Sequence, residues 1–161
     1  MRISRFAAFG AAFALALLVS ACASKTSQDL AAGGAGGGPP GSQQDFVVNV
    51  GDRVFFETDS TSLTATAQAT LEKQAQWLNK YPKYAITMEG HADERGTREY
   101  NLALGARRSQ VARDYLASRG INPQRIRTIS YGKERPVAVC DDISCWSQNR
   151  RAVTVVNTAG S

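Results

Sequence analysis

The stretch from Gly90 to Arg108 gathers charges of both signs around one short polar segment: His91, Asp93, Glu94, Arg95, Arg98, Glu99, Arg107 and Arg108. A ligand with its own paired charges, such as a zwitterionic amino acid, suits such a place. The segment reads as a strand end, a polar loop and the start of a helix. On a helical wheel of 100° per residue, Leu104, Val111 and Tyr115 fall within about 40° of one another. Arg108 lies on that apolar stripe, four residues after Leu104 and three before Val111. An inward arginine is costly unless it is paired and hydrogen-bonded, so Arg108 is expected to have an anionic partner. That partner is either an internal carboxylate or a ligand carboxylate, which a guanidinium can hold through two parallel bonds. Asp93 sits just past the strand end, where loops commonly carry binding groups. It either organises its own turn and pairs with Arg95 or Arg108, or accepts a hydrogen bond from a ligand ammonium. His91 is the only histidine of the chain. No serine or cysteine can be assigned to it as a nucleophile, and adjacency of Asp93 and Glu94 defines no acid–base geometry. The chain reads as a binder and not an enzyme. No cofactor and no metal is implied.

The elements that must position these groups follow from periodicity. Val47, Val48 and Val50 suggest a short first strand, and Arg53–Glu57 a better one. Thr58–Ser62 is a polar loop, and Thr64 is a helix N-cap. Residues 65–80 predict a helix with Ala67, Leu71, Ala75 and Leu78 on one face, stopped by Tyr81-Pro82. Residues 84–89 alternate as a strand, and 99–119 form a long helix closed by Gly120. Residues 126–131 make a further strand, 146–149 a short helical segment and 152–156 a last strand. Strands alternating with helices predict an α/β fold of two layers, a small mixed sheet with helices on one face. About 115 residues suffice for one domain with one core.

The ends place this domain. Arg2 and Arg5 precede an uncharged, mostly apolar run from Phe6 to Val19. Fourteen helical residues span about 21 Å, short of a hydrocarbon core of about 30 Å, so residues 1–21 are expected to be a signal peptide. Leu18-Val19-Ser20-Ala21-Cys22 resembles the bacterial lipoprotein signal, which implies acylation of Cys22, with Val19 where Leu is usual. Ala23, where an Asp would favour inner-membrane retention, implies the outer membrane, and multiple acyl chains would hold firmly. Residues 22–45 are then the lipidated cysteine and a flexible Gly/Pro-rich tether, and 46–161 the domain. Gly36–Gly41 formally matches G-x-G-x-x-G, but no strand precedes it and prolines remove the amides that a phosphate cradle needs. The whole chain carries a net charge of +5, which falls to +3 without Arg2 and Arg5. That is too mild to demand nucleic acid. Cys140 and Cys145 are the remaining cysteines, and an exported setting favours a local disulfide between them. A zinc site would need more ligands nearby.

The ordered set Gly90–Asn101, Leu104-Gly105, Arg107-Arg108, Ser130–Pro136 and Asn149–Val153 resembles the family with an OmpA-like C-terminal domain, in its lipid-anchored branch. The resemblance covers residues 46–157. It implies non-covalent binding of peptidoglycan through the meso-diaminopimelate residue of the stem peptide, with Asp93 and Arg108 as the contacting pair. It also brings Asp59 and Thr58 to the pocket. Thr58 departs from the pattern, which often has Phe there. Leu104 and Arg151 are implied as wall or supporting residues, and His91, read from the sequence as no catalyst, is taken as a support. TolB and the Tol complex are the implied protein partners. The implied role is to link the outer membrane to the wall from the periplasmic side, through lipid on Cys22, and to support envelope invagination during division.

Overall fold

The computed structural model describes residues 37–157. The expected signal peptide, the lipidation of Cys22 and the first part of the tether lie outside the described residues. Ser42 caps α1 (Gln43–Asp45) by accepting from the Asp45 N–H, and the chain runs on into a π-helical turn, Phe46–Gly51. Valine's preference for strands loses here. Phe46 is wholly buried, edge-on to Trp77 at 4.9 Å, while Val47 and Val48 stay about half exposed. The Asp45 carboxylate holds the turn in place, accepting from the Gly41 N–H, from Asn49 and from the Trp77 indole. Residues 41–45, expected in the tether, are therefore tied to the folded part by hydrogen bonds. Tyr84 also donates to the Gly41 carbonyl at 2.7 Å.

Four strands and two long helices follow: β1 (Arg53–Phe55), α2 (Ala65–Lys80), β2 (Ala85–His91), α3 (Arg98–Ser118) and β3 (Ile126–Gly132), then α4 (Ile143–Asn149) and β4 (Arg151–Asn157). Thr64 and Thr97 cap the long helices by accepting from the N–H groups of Ala67 and Tyr100. Gly120 ends α3 at a φ of +91°, in the left-handed region that glycine enters freely. The sheet order is β1-β4-β2-β3, with β2 and β3 parallel and the other two pairs antiparallel. This is the mixed sheet with helices on one face that the sequence predicts.

Alternation decides what each strand shows to the helices. Ile86 and Met88 of β2 and Ala152, Thr154 and Val156 of β4 point into the core, with Val54 of β1. There they meet Leu71 and Leu78 of α2 and Ala112 and Leu116 of α3. Each fully buried leucine contributes roughly 1.5–3 kcal/mol. The polar groups buried between α2 and the sheet are paired. The Gln74 side chain donates to the Gly51 carbonyl at 2.6 Å and accepts from the Thr154 hydroxyl at 2.7 Å. The buried face of α3 is rotated from the expected stripe: Gly105, Arg108, Ala112 and Leu116 are buried, whereas Val111 and Tyr115 are only partly so. Glycine sets that rotation. A Cβ on Gly105 would lie 2.8 Å from the Gly90 carbonyl and would also strike the Ser130 hydroxyl, while one on Gly90 would run into the Gly105 carbonyl. Helix α3 therefore presses onto the end of β2, and Arg108, one turn on, arrives at the strand's C-terminal edge.

Candidate binding site

The cleft forms where three segments meet: the loop after β1, the loop after β2 and the first turns of α3. It encloses about 270 Å³. Thr58, Asp59, Asp93, Leu104 and Arg108, five of the residues singled out in the sequence, line it. Arg95, Gly96, Tyr100 and Asn101 complete the lining.

Arg108 forms the floor and is fully buried. The expected anionic partner is absent among the described residues. Its guanidinium donates instead to three backbone carbonyls: from Nε to Ser60 at 3.0 Å, from Nη1 to His91 at 2.9 Å and from Nη2 to Glu57 at 3.1 Å. Strand ends and the tight loop between them offer carbonyls that have no ladder partner, and these take the place of a carboxylate. Five N–H donors less three leaves one on each terminal nitrogen that no hydrogen bond among the described residues takes. Burial, with Arg150 nearby, brings the Arg108 guanidinium down to about 10, against the opposing pull of Asp93 and Asp59. It remains a cation at neutral pH.

Asp93 accepts four hydrogen bonds: from the Arg95 N–H and Nε at 3.2 Å, from Arg95 Nη2 at 2.7 Å and from Arg150 Nη1 at 3.3 Å. Burial raises its carboxyl, but the bonds from Arg95 and Arg150 outweigh that and hold it below the ordinary range. Arg150 is itself 4% exposed and donates from Nε to the Phe56 carbonyl at 3.0 Å, tying Asp93 to the strand before the cleft. Asn101 fixes the rest of the loop by donating to the carbonyls of Arg95 at 2.7 Å and Thr97 at 3.0 Å. Asp59 stands at a φ of +53°, a left-handed conformation that Asp tolerates better than most residues, and accepts from the Tyr100 hydroxyl. Two loops and α3 are thus joined across the mouth of the cleft.

Two expected support residues lie elsewhere. Arg151 is the first residue of β4 and points to the face opposite the helices, donating from Nη2 to the Arg135 carbonyl at 3.2 Å. His91 lies on the same face, its ring 5.6 Å from that of Tyr131. Only the His91 carbonyl serves the cleft, through Arg108. Arg150, not Arg151, is the arginine behind the site. Counting back by twos from Val156, Thr154 and Ala152 would have reached it. Arg95 and Tyr100 carried no such signal, because both act from a loop or a helix's first turn.

A disulfide joins Cys140 and Cys145, with Cα atoms 5.7 Å apart, around the start of α4. From that helix Trp146 lies over the Arg95 guanidinium, 4.1 Å from carbon to ring centroid, and donates from Nε1 to Glu94. Among the described residues no three His, Cys, Asp or Glu side chains gather as metal ligands.

The sequence model of the OmpA family matches residues 55–152. The peptidoglycan-associated lipoprotein of Rhizobium meliloti (strain 1021) is 70% identical over 154 residues, covering 93% of this chain and 88% of that protein. The protein of the same name from Agrobacterium fabrum is 68% identical, covering 92% of this chain and 87% of that one. Among solved structures, the peptidoglycan-associated lipoprotein of Burkholderia pseudomallei is 42% identical. It superposes with a TM-score of 0.64 over 66% of this chain and 90% of that one. The family is one of binding domains and not of enzymes. With its sheet, its helices and its motif all accounted for, this chain belongs to the OmpA family, among the peptidoglycan-associated lipoproteins.

Proposed function

We propose that this chain is an envelope lipoprotein that grips peptidoglycan without chemistry and ties the outer membrane to the wall. In this reading residues 1–21 direct export, lipid on Cys22 anchors the chain in the outer membrane, the Gly/Pro-rich segment spans the gap and the folded part faces the periplasm. The ligand is the meso-diaminopimelate residue of the stem peptide. The observation that carries the reading is the pairing inside one cleft of the Asp93 carboxylate with two unspent N–H donors of Arg108. Asp93 would take the ligand's ammonium and Arg108 its carboxylate. Each charge-assisted bond contributes about 1.5–3 kcal/mol net in such a setting. Thr58 and Asp59 form the opposite wall, and Leu104 the apolar part. Arg151 and His91 bind nothing in this scheme.

The names of the relatives support wall association, and the family's tie to TolB and the Tol complex extends it to envelope integrity and invagination at division. The test is retention on diaminopimelate-type peptidoglycan. Asp93→Asn keeps the shape and several hydrogen bonds but removes the charge, and it should reduce retention by tenfold or more. Circular dichroism should show it folded. Undiminished retention of the folded variant would refute the assignment.

A further inference from the structure

The four bonds to Asp93 fill the roughly four acceptor positions that a carboxylate has. A ligand ammonium can reach it only by displacing a donor. The Arg95 N–H is backbone, and Arg150 is buried and held by the Phe56 carbonyl. The Arg95 side chain is the donor able to leave, being 40% exposed at the mouth of the cleft. What restrains it is Trp146, whose ring centroid lies 4.1 Å from the guanidinium carbon.

Trp146 is firmly mounted. Its indole donates to Glu94, the residue between Asp93 and Arg95. Asp142 caps α4 by accepting from the Ser144 N–H at 2.7 Å, and the Cys140–Cys145 disulfide closes that turn. At the far end the buried Asn149 side chain accepts from the N–H groups of Val137 and Ala138 and donates to the Ala138 carbonyl. The segment from Val137 to Asn149 is a loop tied at both ends, with one ring resting on the site.

We propose that Arg95 is a built-in occupant of the Asp93 carboxylate, a latch that the ligand's ammonium must displace, and that the disulfide-closed Trp146 segment sets how tightly it is held. The proposal deepens the reading of the cleft given above and rests on it. Arg95 competes with the ligand. Trp146 is a positioning residue that touches no ligand. Reduction of the disulfide loosens the mount and weakens the latch.

The test uses the full chain in detergent, a diaminopimelate-containing stem peptide and two readouts. One is the dissociation constant by calorimetry. The other, which needs no ligand, is the titration midpoint of the Asp93 carboxyl by carbon NMR. Arg95→Met should tighten binding and raise the midpoint. Trp146→Leu should move both in the same direction, with binding tighter by about two- to fivefold, the worth of one exposed cation–π contact. Trp146→Phe should restore both. Cys140→Ser with Cys145→Ser should follow Trp146→Leu. Adding Trp146→Leu to Arg95→Met should change nothing further. Weaker binding in Arg95→Met would make Arg95 part of the grip and overturn the latch. An unmoved Asp93 midpoint in Trp146→Leu would overturn the role of Trp146. Should the wild-type chain ignore the peptide while Asp93 shifts as described, the ligand reading fails and Arg95 is a structural partner of Asp93, not a latch.

Discussion

Acidification from pH 7.5 to 5 should weaken this fold through one residue, His91. Its ring is 2% exposed, and neither nitrogen has a hydrogen-bond partner among the described residues. Burial, then the positive charges of Arg151 and Arg135, push it down to about 4 from its ordinary 6.5. Glu89, 3.6 Å from Nε2, pulls the other way and is outweighed. The sign follows. Below pH 6.5 the unfolded chain binds a proton that the folded chain refuses, so stability falls with pH and levels off below about 4. Between those limits the full loss is about 3 kcal/mol, of which about 2 kcal/mol is already gone at pH 5. Urea unfolding at pH 7.5, 6.5, 5.5 and 5.0 measures it. The chain has no other histidine, and ordinary carboxylates titrate below this window, so the slope belongs to His91. His91→Leu should flatten it. A flat wild-type profile, or an equal slope in the variant, would refute the argument.

Substitutions at two further positions test what holds the cleft. Arg108→Met strips donors from the Ser60 and His91 carbonyls, and one of two from the Glu57 carbonyl, and should cost roughly 1–3 kcal/mol for each carbonyl left unpaired, read in chemical denaturation. A loss under about 1 kcal/mol would mean that those carbonyls find other donors. Arg108→Lys should recover only part of the loss, since an ammonium cannot match the three directions of the fork. Gly105→Ala places a methyl against the Gly90 carbonyl and the Ser130 hydroxyl and should destabilise by about 1–3 kcal/mol, read as a lower urea midpoint.

Much of this was legible in the sequence, for reasons that differ by residue. Thr64, Leu71, Ala75, Leu78 and Gly120 obey local rules of capping and periodicity, and they fall where those rules put them. The inward place of Arg108 was legible for the same reason. Its partners were not, because backbone carbonyls leave no mark on a sequence. The turn at Phe46–Gly51 escaped because the Phe46 contact with Trp77 and the hydrogen bond from Trp77 to Asp45 span about thirty residues of chain, and they override the β-propensity of three valines. Arg150 and Arg151 are adjacent and chemically identical. Only the parity of β4 distinguishes them: the resemblance pointed to Arg151, and the alternation turns Arg150 toward Asp93. Trp146 was visible as a residue, but nothing in its spacing from Arg95 announced that they meet.

The Asp45 clasp has a mechanical meaning. On a chain held by lipid at one end and by the wall at the other, as proposed, tension enters the folded part at Gly41. It meets there the two bonds of Gly41, its N–H to Asp45 and its carbonyl from Tyr84, then those from Trp77 and Asn49 to the Asp45 carboxylate. Bonds loaded one after another peel, whereas bonds sharing a load break together. Peeling of residues 41–51 would lengthen the linkage and bring Phe46 into water while leaving Asp93 and Arg108 in place. The first turn of the fold would then act as a shock absorber, paying out chain under a sudden pull and winding it back when the pull subsides.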